Sequence, residues 1–296
     1  MSSALEQGVN DINSRQNQED IKLLFFSQKF IYSDVKKLKY IMWILVIISL
    51  LSGIFLEKYL VIKTIGGGSI FIFSLFLDSC INKKVNLAAT TQELADRTLY
   101  GFSKEVSDLG GLTEEKIYEV AKNKRDSDEA RYRVIINNKG TDIPPGVKGW
   151  YDDISDDIPK FDAILKCQKQ NIYWDQKLIM AYRKVLYICI FILAIVSIAI
   201  FWNKDVKNII VTIITGLPML KIIICEIYNS HKYINYSKEM DARINSIKEG
   251  DSINTKQLKS LQVEIYRRRK SGFNVPDYFH HKYTNTLHNK YKNSNL

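Results

Sequence analysis

Four stretches of this chain are too long and too apolar for the elements of a water-soluble fold: residues 40–56, 59–81, 185–203 and 208–228. A bilayer core of about 30 Å takes ~20 residues of helix, and each stretch reaches or approaches that length. The first, YIMWILVIISLLSGIFL, and the third, VLYICIFILAIVSIAIFWN, carry no charge. Only a few residues separate the members of each pair, and links that short force helical hairpins. The expected fold class is therefore mainly α and integral to the membrane. It has two transmembrane helical hairpins, four spans in all, with largely helical cytoplasmic extensions. A re-entrant loop is the alternative for the second span.

Orientation follows from the basic residues beside the spans. The inner flanks hold Lys36, Lys37 and Lys39, then Lys83, Lys84 and Arg97, then Arg183 and Lys184, then Lys232, Lys238 and Arg243, whereas the outer hairpin ends hold Lys58, Lys63, Lys204 and Lys207. This bias predicts both termini in the cytoplasm of a bacterial inner-membrane protein. It divides the chain into a cytoplasmic N-terminal helix (1–39), a first transmembrane hairpin (40–81), a central cytoplasmic region (82–184), a second hairpin (185–228) and a basic cytoplasmic C-terminal region (229–296). The formal net charge is +10, and residues 229–296 contribute 13 basic against 6 acidic side chains. A basic segment of this kind suits anionic lipid or a phosphorylated ligand. The same excess is what the positive-inside bias alone would produce, and no DNA partner is expected. The first twenty residues lack the basic-then-apolar order of a signal peptide, so the first span is expected to act as the retained targeting signal.

Several spans are predicted to continue as helices beyond the apolar stretch. Residues 18–39 lead into the first span and 160–184 into the third, while 87–106 follow the second and 229–248 the fourth. Further helices are expected over 112–125 and 255–271, the latter closed by Gly272 and Pro276. The alternation in residues 131–136 reads as a short strand.

No catalytic signature is present. There is no GxxxxGK[ST] loop, HExxH or GxSxG, and Gly66-Gly67-Gly68-Ser69 lies inside a span where it cannot cradle phosphates. Asp152, Asp153, Asp156 and Asp157 read as a solvated acidic turn. Cys80, Cys167, Cys189 and Cys225 form no CxxC and read as small reduced hydrophobes. Neither they nor the four histidines have metal-site spacing, and no cofactor is expected. The chain is not expected to be an enzyme.

Charge inside a span is costly and marks an interior or water-facing position. The second span carries Lys63 and Asp78, the fourth Lys221 and Glu226. The same two spans carry the backbone disruptors, Gly66, Gly67 and Gly68 in one, Gly216 and Pro218 in the other. These nine residues are the expected pore-lining or gating set, with spans two and four inside and spans one and three as the lipid-facing shell. Snorkelling of the charges to the interfaces and close packing of the glycines is the competing explanation. Four helices from one chain barely enclose an aqueous path, so a pore implies a homo-oligomer.

The motifs QNQEDIKLL (16–24), KKLKYI (36–41), GVKGWYDD (146–153), QNIYWDQKL (170–178) and LQVEIYRRR (261–269), followed by Val275-Pro276-Asp277-Tyr278, stand in this order around two membrane hairpins. In that arrangement the chain resembles the SMODS-associating four-transmembrane effectors of bacteria over nearly its whole length. It departs from their pattern at Phe25-Phe26 and His280-His281. The resemblance implies a pore-forming effector of cyclic-oligonucleotide-based antiphage signalling. Infection would trigger messenger synthesis by an associated nucleotidyltransferase, and the effector would permeabilise the inner membrane and arrest growth. A messenger of that kind wants Arg or Lys for its phosphates and aromatic faces for its bases. Arg131, Arg133, Lys148, Trp150, Tyr151 and Trp174 supply these types centrally, and Arg267, Arg268 and Arg269 near the C-terminus. Core burial is the other reading of Trp150 and Trp174. A constitutive ion channel, a small-solute transporter or a membrane-anchored scaffold are the alternative functions.

Overall fold

In the computed structural model the described residues are 10–55, 59–202, 205–250, 252–272 and 275–276, the side chains at 173–175, 177 and 200 excepted. Eight helices account for most of them: α1 (Ile12–Arg15), α2 (Glu19–Phe55), α3 (Leu60–Tyr100), α4 (Glu114–Ser127), α5 (Glu129–Asn137), α6 (Lys160–Phe201), α7 (Val206–Glu249) and α8 (Thr255–Lys270). Each apolar stretch is embedded in one long helix, and α2, α3, α6 and α7 are all long and apolar enough to cross a membrane. No proline or glycine breaks the run from the polar lead-in to the span in α2 and α6. Pro218 sits within α7, which continues through it.

Local chemistry sets the ends of the shorter helices. Thr113 accepts from the Lys116 amide at 3.3 Å and caps α4, with Glu114 and Glu115 in its first turn and Lys124 and Arg125 in its last. Asn254 and Gln257 form a reciprocal capping box at the start of α8. Residues 131–136, expected as a strand, belong instead to α5. Asp128 accepts from the Arg131 amide at 3.1 Å and starts a helix whose face buries Ile135. The strand-like pairing nearby is a single bridge between Lys139 and Lys148. α3 stops at Tyr100, short of the expected residue 106. Gly101 turns into the left-handed region at φ +73°, and the Phe102 amide reaches back to the Arg97 carbonyl at 2.9 Å.

The chain divides into two units. A polar unit comprises Met1–Ser33, Lys84–Gln176 and Asn235–Gly272; a span unit comprises Asp34–Lys83, Lys177–Ile234 and Phe273–Leu296. The polar unit has an ordinary hydrophobic core. Phe25 stacks on Trp150 at 4.7 Å with the rings 11° apart, Tyr151 meets Phe25 edge-on, and Leu94, Leu99, Ile164, Leu165, Leu261 and Ile265 are buried around them. Phe25 and Phe26, where the sequence departs from the family pattern, are core residues here, 0% and 1% exposed. His280 and His281 lie outside the described residues.

The span unit inverts that pattern. Ile62, Ile65, Ile72, Phe76, Phe191 and Ile198 each expose more than half their surface. In water each would forgo roughly 1.5–3 kcal/mol of burial, and in a bilayer lipid covers them. About a third of the apolar window of α7 is buried (33%), against 22% in α2 and α3 and 17% in α6. α7 is thus the most enclosed of the four and α6 the least, whereas α3 is no more enclosed than α2. The reason lies at Gly53 of α2. A Cβ there would stand 1.9 Å from Thr215 Oγ1, so α2 and α7 approach closely at this point. The Ser49 hydroxyl donates to the Thr215 carbonyl at 2.8 Å across the same contact.

Candidate functional site

The span unit brings together the ionisable residues its helices carry. Lys221 of α7 forms an ion pair with Asp78 of α3. Glu226, one α7 turn and a half further on, accepts from Lys39 of α2 at 2.7 Å and is buried. Lys63 is 2% exposed, with its Nζ 3.5 Å from the Gly53 carbonyl, so it is enclosed by protein. Of the glycines, Gly67 packs against Thr215, where a Cβ would stand 3.0 Å from the threonine Cγ2. Gly66 and Gly68 face open space, and Gly216 meets only Leu50. Pro218 is buried. The nine residues thus separate into two ion pairs (the second completed by Lys39), an enclosed lysine, two helix-contact positions at Gly67 and Gly216, a buried proline and two open glycines.

The polar unit holds a buried charge network that sequence reasoning missed. Glu93, Asp96 and Arg97 on α3 are all buried, with both carboxylates at 0% exposure. Arg269 of α8 donates to Asp96 at 2.7 Å and lies 3.6 Å from Glu93. Arg97 donates to the other Glu93 oxygen at 2.7 Å and reaches Asp108 at 2.8 Å. Gln262 donates to Glu93 at 2.8 Å, and Gln168 of α6 donates to Gln262 at 3.1 Å. The Tyr151 hydroxyl donates to Asp96 at 2.7 Å and accepts from Asn171 at 2.8 Å. Two carboxylates and two guanidiniums thus balance at the centre. Glu93 lies on α3 well past the apolar stretch that ends at residue 81. Burial, reinforced by the neighbouring Asp96 and opposed by Arg269, raises its pKa to about 7. Burial also pushes the Tyr100, Tyr151 and Cys167 groups well above their usual values, so all three keep their protons.

The sensing residues named from sequence are scattered by this arrangement. Tyr151 is a core hydrogen-bonding residue and Trp150 is half-buried against Phe25. Arg131 lies over the Phe30 ring at 5.0 Å. Arg133 pairs with Glu129 at 2.6 Å on the surface, and Lys148 is exposed. The Trp174 side chain lies outside the described residues. Of the C-terminal run, Arg268 is buried at 1% exposure and donates to the Asn171 carbonyl at 2.8 Å, Arg269 joins the network, and Arg267 is exposed. Arg267 lines a cleft of about 250 Å³ with Tyr236, Glu239, Met240, Arg243 and Glu264. The signal for the network was present as Glu93, Asp96 and Arg97 at helical spacing beside Ala88, Ala89 and Ala95. Small residues on a helix let a second element close over its charges.

Residues 10–295 match the family described as the SMODS-associating 4TM effector domain. No curated protein and no solved structure matches the chain.

Proposed function

Since the chain belongs to the SMODS-associating 4TM effector family, we propose that it permeabilises the bacterial inner membrane in antiphage signalling, as an oligomeric pore opened by a cyclic-oligonucleotide messenger. Several copies supply the pore wall, because four helices from one chain enclose too little space for an aqueous path. Both termini and the polar unit face the cytoplasm, where the messenger is made. α3 and α6 each run unbroken from residues of the polar unit to residues of the span unit. A messenger that binds two states of the polar unit unequally therefore shifts the spans with it.

The observation that carries this reading is the Asp78–Lys221 pair. Charges are retained inside apolar helices where water or ions pass, or where they hold a closed state that a stimulus releases. Neutralising one partner leaves the other uncompensated in a medium of low dielectric.

The test is release of dye from liposomes holding the purified full chain, with cyclic di- and trinucleotides added outside inside-out vesicles. Messenger-dependent release is expected from the wild type. Asp78→Asn and Lys221→Met should each change that release, and the double variant should return part of the way to wild type. Release that ignores every messenger, or single variants indistinguishable from wild type, would remove the gated pore and the gating role of the pair respectively.

A further inference from the structure

The run Arg267-Arg268-Arg269 meets three different fates, and only Arg267 stays on the surface. It stands on the rim of the α7–α8 cleft, within the polar unit. On α7, Tyr236, Glu239, Met240 and Arg243 follow one another at i, i+3, i+4 and i+7, so one helix face forms one wall. Glu264 and Arg267, three apart on α8, form the other.

The wall residues differ in what they leave available. Arg243 is occupied, paired to Glu264 and donating to the Ser260 hydroxyl at 2.8 Å. Met240, 1% exposed, makes an apolar floor. Among the described residues the side chains of Arg267 and Glu239 make no hydrogen bond or ion pair, and both are exposed. A cleft of 250 Å³ therefore presents one open guanidinium, one open carboxylate, a tyrosine ring and an apolar base.

These groups define a ligand. The guanidinium takes a phosphate in a two-pronged, charge-assisted contact. The tyrosine and methionine take the face of a planar ring. A carboxylate is acceptor-only and takes two parallel donors best. Guanine alone among the common bases sets two N–H groups side by side, at N1 and N2. Adenine offers an acceptor beside its donor, which a carboxylate repels. The volume lies below the ~300–1,000 Å³ that encloses a whole drug-sized ligand, so it suits one base with its phosphate, the remainder of the ligand staying outside.

We propose that the α7–α8 cleft is the messenger site, and that it takes one guanine nucleotide of a cyclic oligonucleotide, with Arg267 on the phosphate and Glu239 on the N1–N2 edge of the base. This rests on the reading of the chain as a messenger-gated effector. It makes guanine content the basis of messenger selection, and it puts the recognition on helix α7, which also carries Lys221 of the gating pair.

The experiment measures binding of cyclic di-GMP, cyclic GMP–AMP and cyclic di-AMP to the full chain in lipid nanodiscs by calorimetry, beside dye release from liposomes with the same three rings. The wild type is expected to bind the two guanine-bearing rings at least about tenfold more tightly than cyclic di-AMP, the worth of one charge-assisted hydrogen bond. Arg267→Ala weakens both guanine-bearing rings by a similar factor. Glu239→Gln levels the guanine preference. Both positions are exposed, and unchanged melting curves verify that the variants fold. Equal or tighter binding of cyclic di-AMP, affinity untouched by either substitution, or no binding by any of the rings overturns the site. Ring-triggered dye release that survives both substitutions overturns the cleft and leaves messenger gating standing. Binding at the cleft without dye release does the reverse.

Discussion

The two units handle buried charge in opposite ways. In the polar unit Glu93, Asp96, Arg97 and Arg269 share partners, and Gln262, Tyr151 and Asp108 extend the set. In the span unit Asp78 and Lys221 pair only with each other among the described residues, joining α3 to α7, while Glu226 of α7 accepts from Lys39 of α2. At the centre of a shared network each of Glu93, Asp96, Arg97 and Arg269 that loses one partner keeps another. An isolated pair has two states, made or broken. The network therefore suits fixing the position of α8 and the Trp150–Tyr151 loop against α3 and α6. The Asp78–Lys221 pair suits a structure that must change.

The comparison is broken most directly at Arg269. Arg269→Ala leaves Asp96 and Glu93 facing each other with one cation fewer, and removal of one partner from a buried ionic cluster costs about 3–5 kcal/mol. A loss of that size should abolish the cooperative melt of the detergent-purified protein, or lower its midpoint by many degrees. Arg267→Ala, two residues away on the exposed side of α8, should leave the melt unchanged. Equal melts for the two variants would mean that the network does not hold the polar unit together.

A smaller effect tests the span unit through its packing. Gly53→Ala places a methyl 1.9 Å from Thr215 Oγ1 and 2.9 Å from its Cβ, so α2 and α7 must separate or the threonine must turn. Overpacking of this kind costs about 1–3 kcal/mol. Gly66→Ala meets nothing within 4 Å and gains helix propensity. The expected order in thermal stability is Gly53→Ala below wild type and Gly66→Ala at or above it. A destabilised Gly66→Ala would show that this face of α3 is packed against another copy in the assembled protein, which sharpens the oligomer proposal.

Much of this architecture was legible because it rests on local rules. The four spans, the lead-in to α2, the start of α6 and the end of α8 follow from apolar run length, the absence of breakers, and Gly272 and Pro276 at the boundary. The strand reading of residues 131–136 failed because alternation over six residues cannot outweigh an Asp128 cap and a single buried face. The Arg267–Arg269 run divides among environments for a geometric reason. Successive helical residues point about 100° apart, so three arginines in a row cannot share an environment, and which of them is buried depends on what packs against α8. The network was hidden for the same reason, since Glu93 and Asp96 on α3 meet Arg269 only after some 170 residues of intervening chain have folded. The Asp78–Lys221 pair joins two of the span charges singled out from the sequence, because membrane helices offer so few charges that their partners are few.

The subtlest consequence of the network is a dependence on pH, and it isolates Glu93 from its neighbours. Its pKa rises from 4.5 to about 7 on folding, burial being the largest cause. Between those values the folded chain holds a proton that the unfolded chain has released. The state that binds more protons is favoured as pH falls, so this group makes the protein most stable at and below about pH 4.5. Its contribution declines as pH rises to 7 and is flat above it. The slope cannot exceed about 1.4 kcal/mol per pH unit for one group. Glu93→Gln keeps an acceptor for Arg97 and removes the titration, so the melting midpoint of this variant should lose the downward trend between pH 5 and 7 that the wild type shows. The span-unit variant Asp78→Asn leaves that trend in place if the two units hold their charges independently. A trend unchanged in Glu93→Gln would assign it to another group and would mean that the carboxylate stays ionised within the network, held so by Arg97 and Arg269 despite its burial.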